Sequence, residues 1–161
     1  MLAMKKIVYW QLILFIIICE VLGSIGSVFT FPNIQTWYVF LKKSPLNPPN
    51  WVFGPVWTLL FLLMGISVYL VWRNGWKKKN VSDSLLIFGG QFFFNILWSV
   101  VFFGQHSPIK GLLIISVLWI LIILNIVAFW RVNKTAGLLL IPYLLWVSFA
   151  SYLNLMVYLL N

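Results

Sequence analysis

The chain has 161 residues, of which 63% are hydrophobic and only 8% are charged, and its formal net charge is +9. A soluble domain typically carries about 25% charged residues, so this composition excludes a water-soluble fold and, with apolar runs of ~20 residues, indicates a membrane protein. The basic excess does not predict nucleic-acid binding, because the Lys and Arg residues form short clusters between the apolar runs instead of one basic face.

Five apolar stretches predict five membrane spans in chain order. They cover residues 7–29, 51–72, 84–104, 111–130 and 135–160. We therefore expect an all-α membrane protein, a bundle of five transmembrane helices forming a single domain over residues 1–161. The first stretch follows Lys5 and Lys6 as in a signal peptide, but it is too long and lacks a clear cleavage site, so we expect it to be retained.

The distribution of Lys and Arg predicts the orientation of the chain. Eight of these residues share the side of the N-terminus: Lys5, Lys6, Arg73, Lys77, Lys78, Lys79, Arg131 and Lys134. Only Lys42, Lys43 and Lys110 lie on the other side. The positive-inside bias then predicts a cytoplasmic N-terminus and an external C-terminus in a bacterial inner membrane, with the Pro-rich first loop facing out.

Polar and aromatic residues recur at helical spacing inside three of the spans. The third span carries Gln91, Asn95, Trp98 and Ser99; the fifth carries Pro142, Trp146, Ala150, Asn154 and Tyr158; the second carries Phe53, Trp57 and Phe61. Amides in membrane helices often act only as cross-links between helices. Flat aromatics beside a few amides also suit a planar, largely apolar ligand, and we leave both interpretations open. Pro142 is expected to bend the fifth span and to open space beside Trp146 and opposite Ala150.

Few residues suggest chemistry. Cys19 and His106 are the only cysteine and histidine, so we expect no disulfide, metal site or cofactor, and no nucleophile–base pair. Glu20 is the only acid well inside a span, and it is either functional or a neutral, hydrogen-bonded group in the bundle. The small residues Gly23, Gly26 and Ser27 predict a close helix contact.

Three ordered blocks carry a family resemblance. The first runs from Trp37-Tyr38 through Asn47-Pro48-Pro49-x-Trp51-x-Phe53-Gly54-Pro55-Val56-Trp57-Thr58; the others are Gln91-x-x-x-Asn95-x-x-Trp98-Ser99 and Pro142-Tyr143-x-x-Trp146-x-x-x-Ala150-x-x-x-Asn154. Together they resemble the translocator protein family, also called the tryptophan-rich sensory proteins and, in mitochondria, the peripheral-type benzodiazepine receptor. Three blocks with matching helix placement are more specific than one short motif.

The resemblance implies a membrane receptor or sensory protein, often a homodimer, with a pocket inside the bundle. The implied ligands are porphyrins such as protoporphyrin IX and related flat apolar molecules, including benzodiazepine-type drugs. The implied ligand-binding residues are Tyr38, Pro48, Trp57, Asn95, Trp146, Ala150 and Asn154. Trp57 and Trp146 match tryptophans implicated in light-dependent porphyrin breakdown in some bacterial members. A porphyrin-degrading enzyme and a carrier of porphyrins or other apolar solutes are therefore alternative functions.

The sequence departs from the family pattern in three places. Phe61 replaces a tyrosine found in many members, and the first loop reads Lys43-Ser44-Pro45-Leu46 where Lys-Pro-x-Trp is common. The cholesterol motif of mitochondrial members requires a Lys or Arg after a Tyr, and none follows Tyr158. We therefore expect no cholesterol binding through that motif.

Overall fold

The computed structural model describes residues 8–161, and within them it contains helices and loops but no strand. The α-helices are α1 (Tyr9–Thr36), α2 (Phe53–Trp72), α3 (Lys79–Ser99), α4 (Pro108–Val132), α5 (Lys134–Leu139) and α6 (Ile141–Leu160). Five helical segments are long and apolar enough to cross a membrane: Tyr9–Thr36, Asn50–Trp72, Lys79–Gly104, Pro108–Val132 and Lys134–Leu160. The prediction of an all-α membrane protein with five spans is confirmed.

The first span is longer than predicted at its loop end. The sequence placed its end at residue 29 because Pro32 follows, but α1 continues through Pro32 to Thr36. Proline removes one backbone hydrogen bond, which a membrane helix tolerates where side chains supply other contacts. Here the carbonyl without its helical N–H donor is that of Val28, and the neighbouring Asn33 Nδ2 donates to a different carbonyl, that of Phe29, at 2.8 Å. The predicted start at residue 7, with Lys5 and Lys6, lies outside the described residues.

The third span begins at Lys79, before the predicted residue 84, and it ends in a π-helical turn, Val100–Gly104. In that turn the Gln105 N–H donates to the Val100 carbonyl at 3.0 Å. A π turn holds one residue more than an α turn and is common at functional sites. Phe102 and Phe103 are both buried in this turn. In a regular α-helix two adjacent side chains point in different directions, which makes burial of both less favourable.

The fifth span is interrupted at Leu140 between α5 and α6. Pro142 has no N–H for the Leu138 carbonyl, so the α-helical ladder breaks there and the Leu140 N–H instead bonds the Gly137 carbonyl at 3.2 Å. At the start of α5, Asn133 Oδ1 accepts from the Ala136 N–H at 3.1 Å as an N-cap. The irregularity that was expected near Pro142 is therefore present in the fifth span.

Hydrogen bonds between distant segments show which loops share an end of the bundle. The backbone of Lys42 in the first loop exchanges two hydrogen bonds with the Asn161 side chain, each 3.0 Å long. His106, after α3, lies 2.7 Å from Asn33 near the end of α1. The first loop, the α3–α4 loop and the end of α6 therefore lie together, as five alternating spans require.

Small residues on α1 and α2 bring these helices into close contact. A Cβ atom added to Gly65 would lie 2.6 Å from the Cα atom of Ile16, and one added to Gly23 would clash with the Phe61 ring. Gly26 lies near Ser99 of α3, where the added Cβ would be 3.0 Å from Oγ. The close helix contact that was predicted from the small residues of the first span is thus present, and it involves both α2 and α3.

Gly65→Ala is expected to lower the stability of the bundle by about 1–3 kcal/mol, because its methyl group meets the backbone of Ile16 and the helices must move apart. The measurement is the thermal unfolding midpoint in detergent. Gly90→Ala is the matched control, since a Cβ atom there has nothing within 4 Å. A Gly65→Ala midpoint equal to that of the control would contradict the close crossing.

Candidate functional site

A cavity of about 540 Å³ lies between α1, α2, α3 and α6. Its walls come from the second half of α1, the first half of α2, the second half of α3 with its π turn, and the middle of α6. It is open between α1 and α2, where the lining residues Phe31 and Trp51 are each 74% exposed. Below it the two helices meet at Gly65, so they diverge toward the first loop.

Two pairs of stacked aromatic rings form flat walls of the cavity. Trp57 and Phe61 on α2 have ring centroids 5.5 Å apart and planes inclined by 25°. Trp98 on α3 and Phe102 in the π turn lie 5.2 Å apart at 16°. Residues four apart on a helix share one face, which explains why the rings of each pair overlap. All four residues line the cavity.

Two buried amides lie at the cavity and also link helices. Asn95 Nδ2 donates to Tyr143 Oη at 3.0 Å. Asn154 Oδ1 accepts from Trp98 Nε1 at 3.0 Å, while its Nδ2 donates to the Pro108 carbonyl at 2.9 Å. The cross-linking interpretation therefore describes both residues, and both also line the cavity. The hydrogen bond that Trp98 donates to Asn154 orients the Trp98 indole.

The α6 side of the cavity projects little into the open space because Ala150, which lies there, has a small side chain. Ala150 is 7% exposed and lies one turn before Asn154, on the same face of α6. Its methyl group leaves the space between the aromatic walls unfilled. A larger side chain at this position would extend into the cavity.

The first loop covers the outer end of the cavity through Tyr38. Tyr38 Oη donates to Asn47 Oδ1 at 2.6 Å, and burial raises the pKa of Tyr38 to about 12, so its hydroxyl is neutral at physiological pH. Lys43 Nζ lies 4.8 Å from the centre of the Tyr38 ring and donates to the Tyr38 carbonyl at 2.7 Å. Partial burial lowers the pKa of Lys43. Ser44 and Tyr152, whose hydroxyl oxygens are 2.8 Å apart, attach the loop to α6.

Five of the seven residues selected from the sequence line the cavity: Tyr38, Trp57, Asn95, Ala150 and Asn154. Pro48 and Trp146 do not. The Pro48 carbonyl accepts from Asn47 Nδ2 at 3.0 Å and so supports the partner of the Tyr38 hydroxyl. Trp146 lies behind the cavity wall, with its ring 5.9 Å from that of Phe53. Its buried indole N–H has no hydrogen-bond partner among residues 8–161.

The contribution of α1 to the cavity was not predicted from the sequence. Glu20, Ser24, Ser27, Thr30 and Phe31 line the cavity along one face of this helix. Their spacing of three and four residues was visible in the sequence. Small residues at that spacing also predict helix packing, and α1 does pack against other helices through an adjacent face. Periodicity alone therefore did not distinguish residues that line the cavity from residues that pack between helices.

His106 and Cys19 lie away from the cavity lining. The His106 ring stacks on Trp37 with centroids 4.6 Å apart, at the loop end of the bundle. Cys19 is a buried free thiol. Over the part of the chain that the structure describes, no three His, Cys, Asp or Glu side chains are grouped as metal ligands.

Comparison with known proteins gives a consistent result over most of the chain. A model of the TspO/MBR family matches residues 15–159. The tryptophan-rich protein TspO of Chlorobaculum tepidum is 48% identical over 144 residues, which are 89% of this chain and 91% of that protein. The protein of the same name from Archaeoglobus fulgidus is 48% identical over 87% of this chain and 90% of its own length. The human translocator protein is 36% identical over 81% of this chain and 78% of its own. With these matches and five helices that can span a membrane, the chain is an integral membrane protein that belongs to the TspO/MBR family.

Proposed function

We propose that this protein is a membrane receptor or sensory protein that binds flat, largely apolar ligands of the porphyrin class, including protoporphyrin IX, in the cavity. The observation that carries the proposal is the pair of stacked aromatic walls, Trp57–Phe61 and Trp98–Phe102, around a cavity of about 540 Å³. Small-molecule sites typically measure about 300–1,000 Å³ and combine apolar walls with a few polar groups. Benzodiazepine-type drugs have the same flat, apolar character.

The test is a titration of the purified protein with protoporphyrin IX in the dark, followed by quenching of tryptophan fluorescence. Saturable quenching is expected, because Trp57 and Trp98 line the cavity and lie against a bound ring. The matched blank is free tryptophan amide in the same detergent micelles. Quenching that rises without saturation, as in the blank, would contradict the proposal.

Light-dependent degradation of the porphyrin is a second candidate function, favoured by Trp57 on the cavity wall. The support is weaker than the sequence suggested, since Trp146 lies behind Phe53. Illuminating the saturated complex separates the two functions: a receptor retains the porphyrin spectrum, whereas a degrading enzyme gives a new absorbing product that depends on Trp57. A carrier function would appear as flux of porphyrin through proteoliposomes.

The proposed setting is a bacterial inner membrane with the chain as one domain, the N-terminus in the cytoplasm and the C-terminus outside. It is supported by the charge asymmetry, since Arg73, Lys77, Lys78, Arg131 and Lys134 all lie at the end away from the first loop. In this orientation the cavity is nearer the outer surface. Ligand exchange is then expected with the outer half of the bilayer.

We also propose a homodimer through α3. Leu86 and Phe93 are 78% and 60% exposed on one face of this helix, and Gly89 between them has nothing within 4 Å of an added Cβ atom. Glycine allows a second helix to approach closely.

Gly89→Leu is expected to shift the protein from dimer to monomer in crosslinking experiments and in light scattering. The added side chain has free space in the single chain, so the bundle should fold normally and melt at the parent's temperature. Thr58→Leu, which also adds bulk at an exposed position but on α2, is the control. An undiminished dimer for Gly89→Leu would place the interface on another helix.

A further inference from the structure

Glu20 is a carboxyl group in the middle of a membrane span, and it lines the cavity. It lies on α1, which runs from Tyr9 to Thr36, and the cavity-lining part of this helix extends from Glu20 to Gln35. Since the first loop follows Thr36, Glu20 is at the end of the cavity furthest from the loop. A charged carboxylate at membrane depth is costly unless a cation or hydrogen-bond donors compensate it.

The lining of the cavity provides no cation for Glu20. Among the residues described there, Glu20 is the single carboxyl, and none is Lys, Arg or His. Lys43 belongs to the first loop, where its ammonium group is held by the Tyr38 and Leu41 carbonyls at 2.7 and 3.1 Å. The described lining therefore leaves the Glu20 carboxyl available to a cation or a hydrogen-bond donor that a ligand brings.

The hydroxyl groups beside Glu20 are also acceptors toward the cavity. Ser24 Oγ donates to the Val21 carbonyl at 2.7 Å, and Ser27 Oγ donates to the Ser24 carbonyl at 2.6 Å. Thr30 Oγ1 donates to the Gly26 carbonyl at 3.1 Å. A hydroxyl has one hydrogen to donate, so each of these oxygens has only lone pairs left for a ligand. The α1 wall as a whole thus presents a carboxyl and three acceptor oxygens.

We propose that Glu20, with Ser24 and Ser27, forms a subsite for a protonated nitrogen. The inference rests on the proposed ligand cavity and specifies its preferred ligands: flat aromatic cations with an amino group at one edge that shares the positive charge. The amine donates to Glu20, and the rings lie between the aromatic walls, whose π faces also attract cations. An acidic group on a ligand is repelled from this end and is directed toward the first loop, which carries Lys42 and Lys43.

The test compares two probes of the same ring shape: 9-aminoacridine, a cation at neutral pH, and acridine, which is neutral. Dissociation constants are measured by isothermal titration in detergent, with empty micelles subtracted. The parent protein is expected to bind 9-aminoacridine at least tenfold more tightly than acridine. In Glu20→Gln, which keeps the shape and removes the charge, this preference is expected to vanish, with acridine affinity changed less than twofold. Glu20→Asp should retain a preference, and Trp119→Phe, on α4 outside the cavity lining, should retain it fully.

The outcomes separate this inference from the proposed function. If the parent binds both probes with equal affinity, or if Glu20→Gln keeps the tenfold preference, the amine subsite is refuted while the aromatic cavity stands. If neither acridine nor protoporphyrin IX binds the parent saturably, the cavity itself is not a ligand site. The parent comparison requires no variant, so the inference is tested even if Glu20→Gln is not obtained as a folded protein.

Discussion

Ala150→Phe is expected to abolish saturable binding of protoporphyrin IX. Ala150 is the small residue on α6 that lines the cavity and faces the space between the stacked rings of α2 and α3. A benzyl group at this position occupies the volume that a flat ligand requires. The cavity is open on one side and about 540 Å³ in size, so the bundle has room for the new ring without repacking its core.

The measurement is the dark titration of tryptophan fluorescence, with the thermal midpoint as a check on folding. Trp119→Phe is the control, because Trp119 lies outside the cavity lining on α4 and its indole N–H bonds Ser148 Oγ at 2.8 Å. It should bind like the parent. Parent-like affinity in a folded Ala150→Phe variant would show that porphyrin binds elsewhere.

Trp57→Ala is expected to weaken porphyrin binding roughly tenfold or more. The indole is a wall of the cavity, and stacking on an aromatic ring contributes about 0.5–1.5 kcal/mol beyond the burial of area. Loss of area contributes further, and ~1.4 kcal/mol corresponds to a factor of ten in the dissociation constant. Removing Trp57 also frees the ring of Phe61, its stacking partner, which lowers the order of the same wall.

Trp146→Ala provides the matched comparison for Trp57→Ala. Both remove an indole from the family motif, but Trp146 contacts Phe53 behind the wall and does not line the cavity. Its loss is expected to weaken binding less than the loss of Trp57. Absorption titration of porphyrin, which does not depend on the number of tryptophans, gives both constants. A larger effect for Trp146→Ala would mean that the ligand site extends behind Phe53.

The sequence predicted the parts of this fold that depend on hydropathy and helical spacing. Five apolar runs set the spans, and Asn95, Ala150 and Asn154 were selected because residues at spacings of three and four share a helix face. Trp57 was found by the same spacing. Tyr38 lies in a loop, where periodicity carries no information, and it was identified only through the family motif.

The errors came from features that periodicity does not encode. Pro32 lies beyond the predicted helix end, yet α1 passes through it, because one missing N–H does not by itself end a long apolar helix. The π turn at Val100–Gly104 holds an extra residue at the end of the third span, where Phe102 and Phe103 are both buried, and a regular period does not predict it. Trp146 shares the spacing of Ala150 and Asn154, but its ring packs against Phe53, and helical spacing alone does not show how far along the helix the cavity extends.

The opening between α1 and α2 has a consequence for how occupancy depends on conditions. Phe31 and Trp51 border this opening on segments that are apolar enough to span a membrane, so an apolar ligand of the proposed site is expected to exchange with the bilayer instead of the aqueous phase. Occupancy then follows the mole fraction of ligand in lipid. Adding empty lipid vesicles dilutes the ligand and raises the apparent dissociation constant expressed per volume of water, while the constant expressed per lipid stays fixed. Dissociation constants expressed per volume of water are therefore comparable between preparations only at equal lipid concentration.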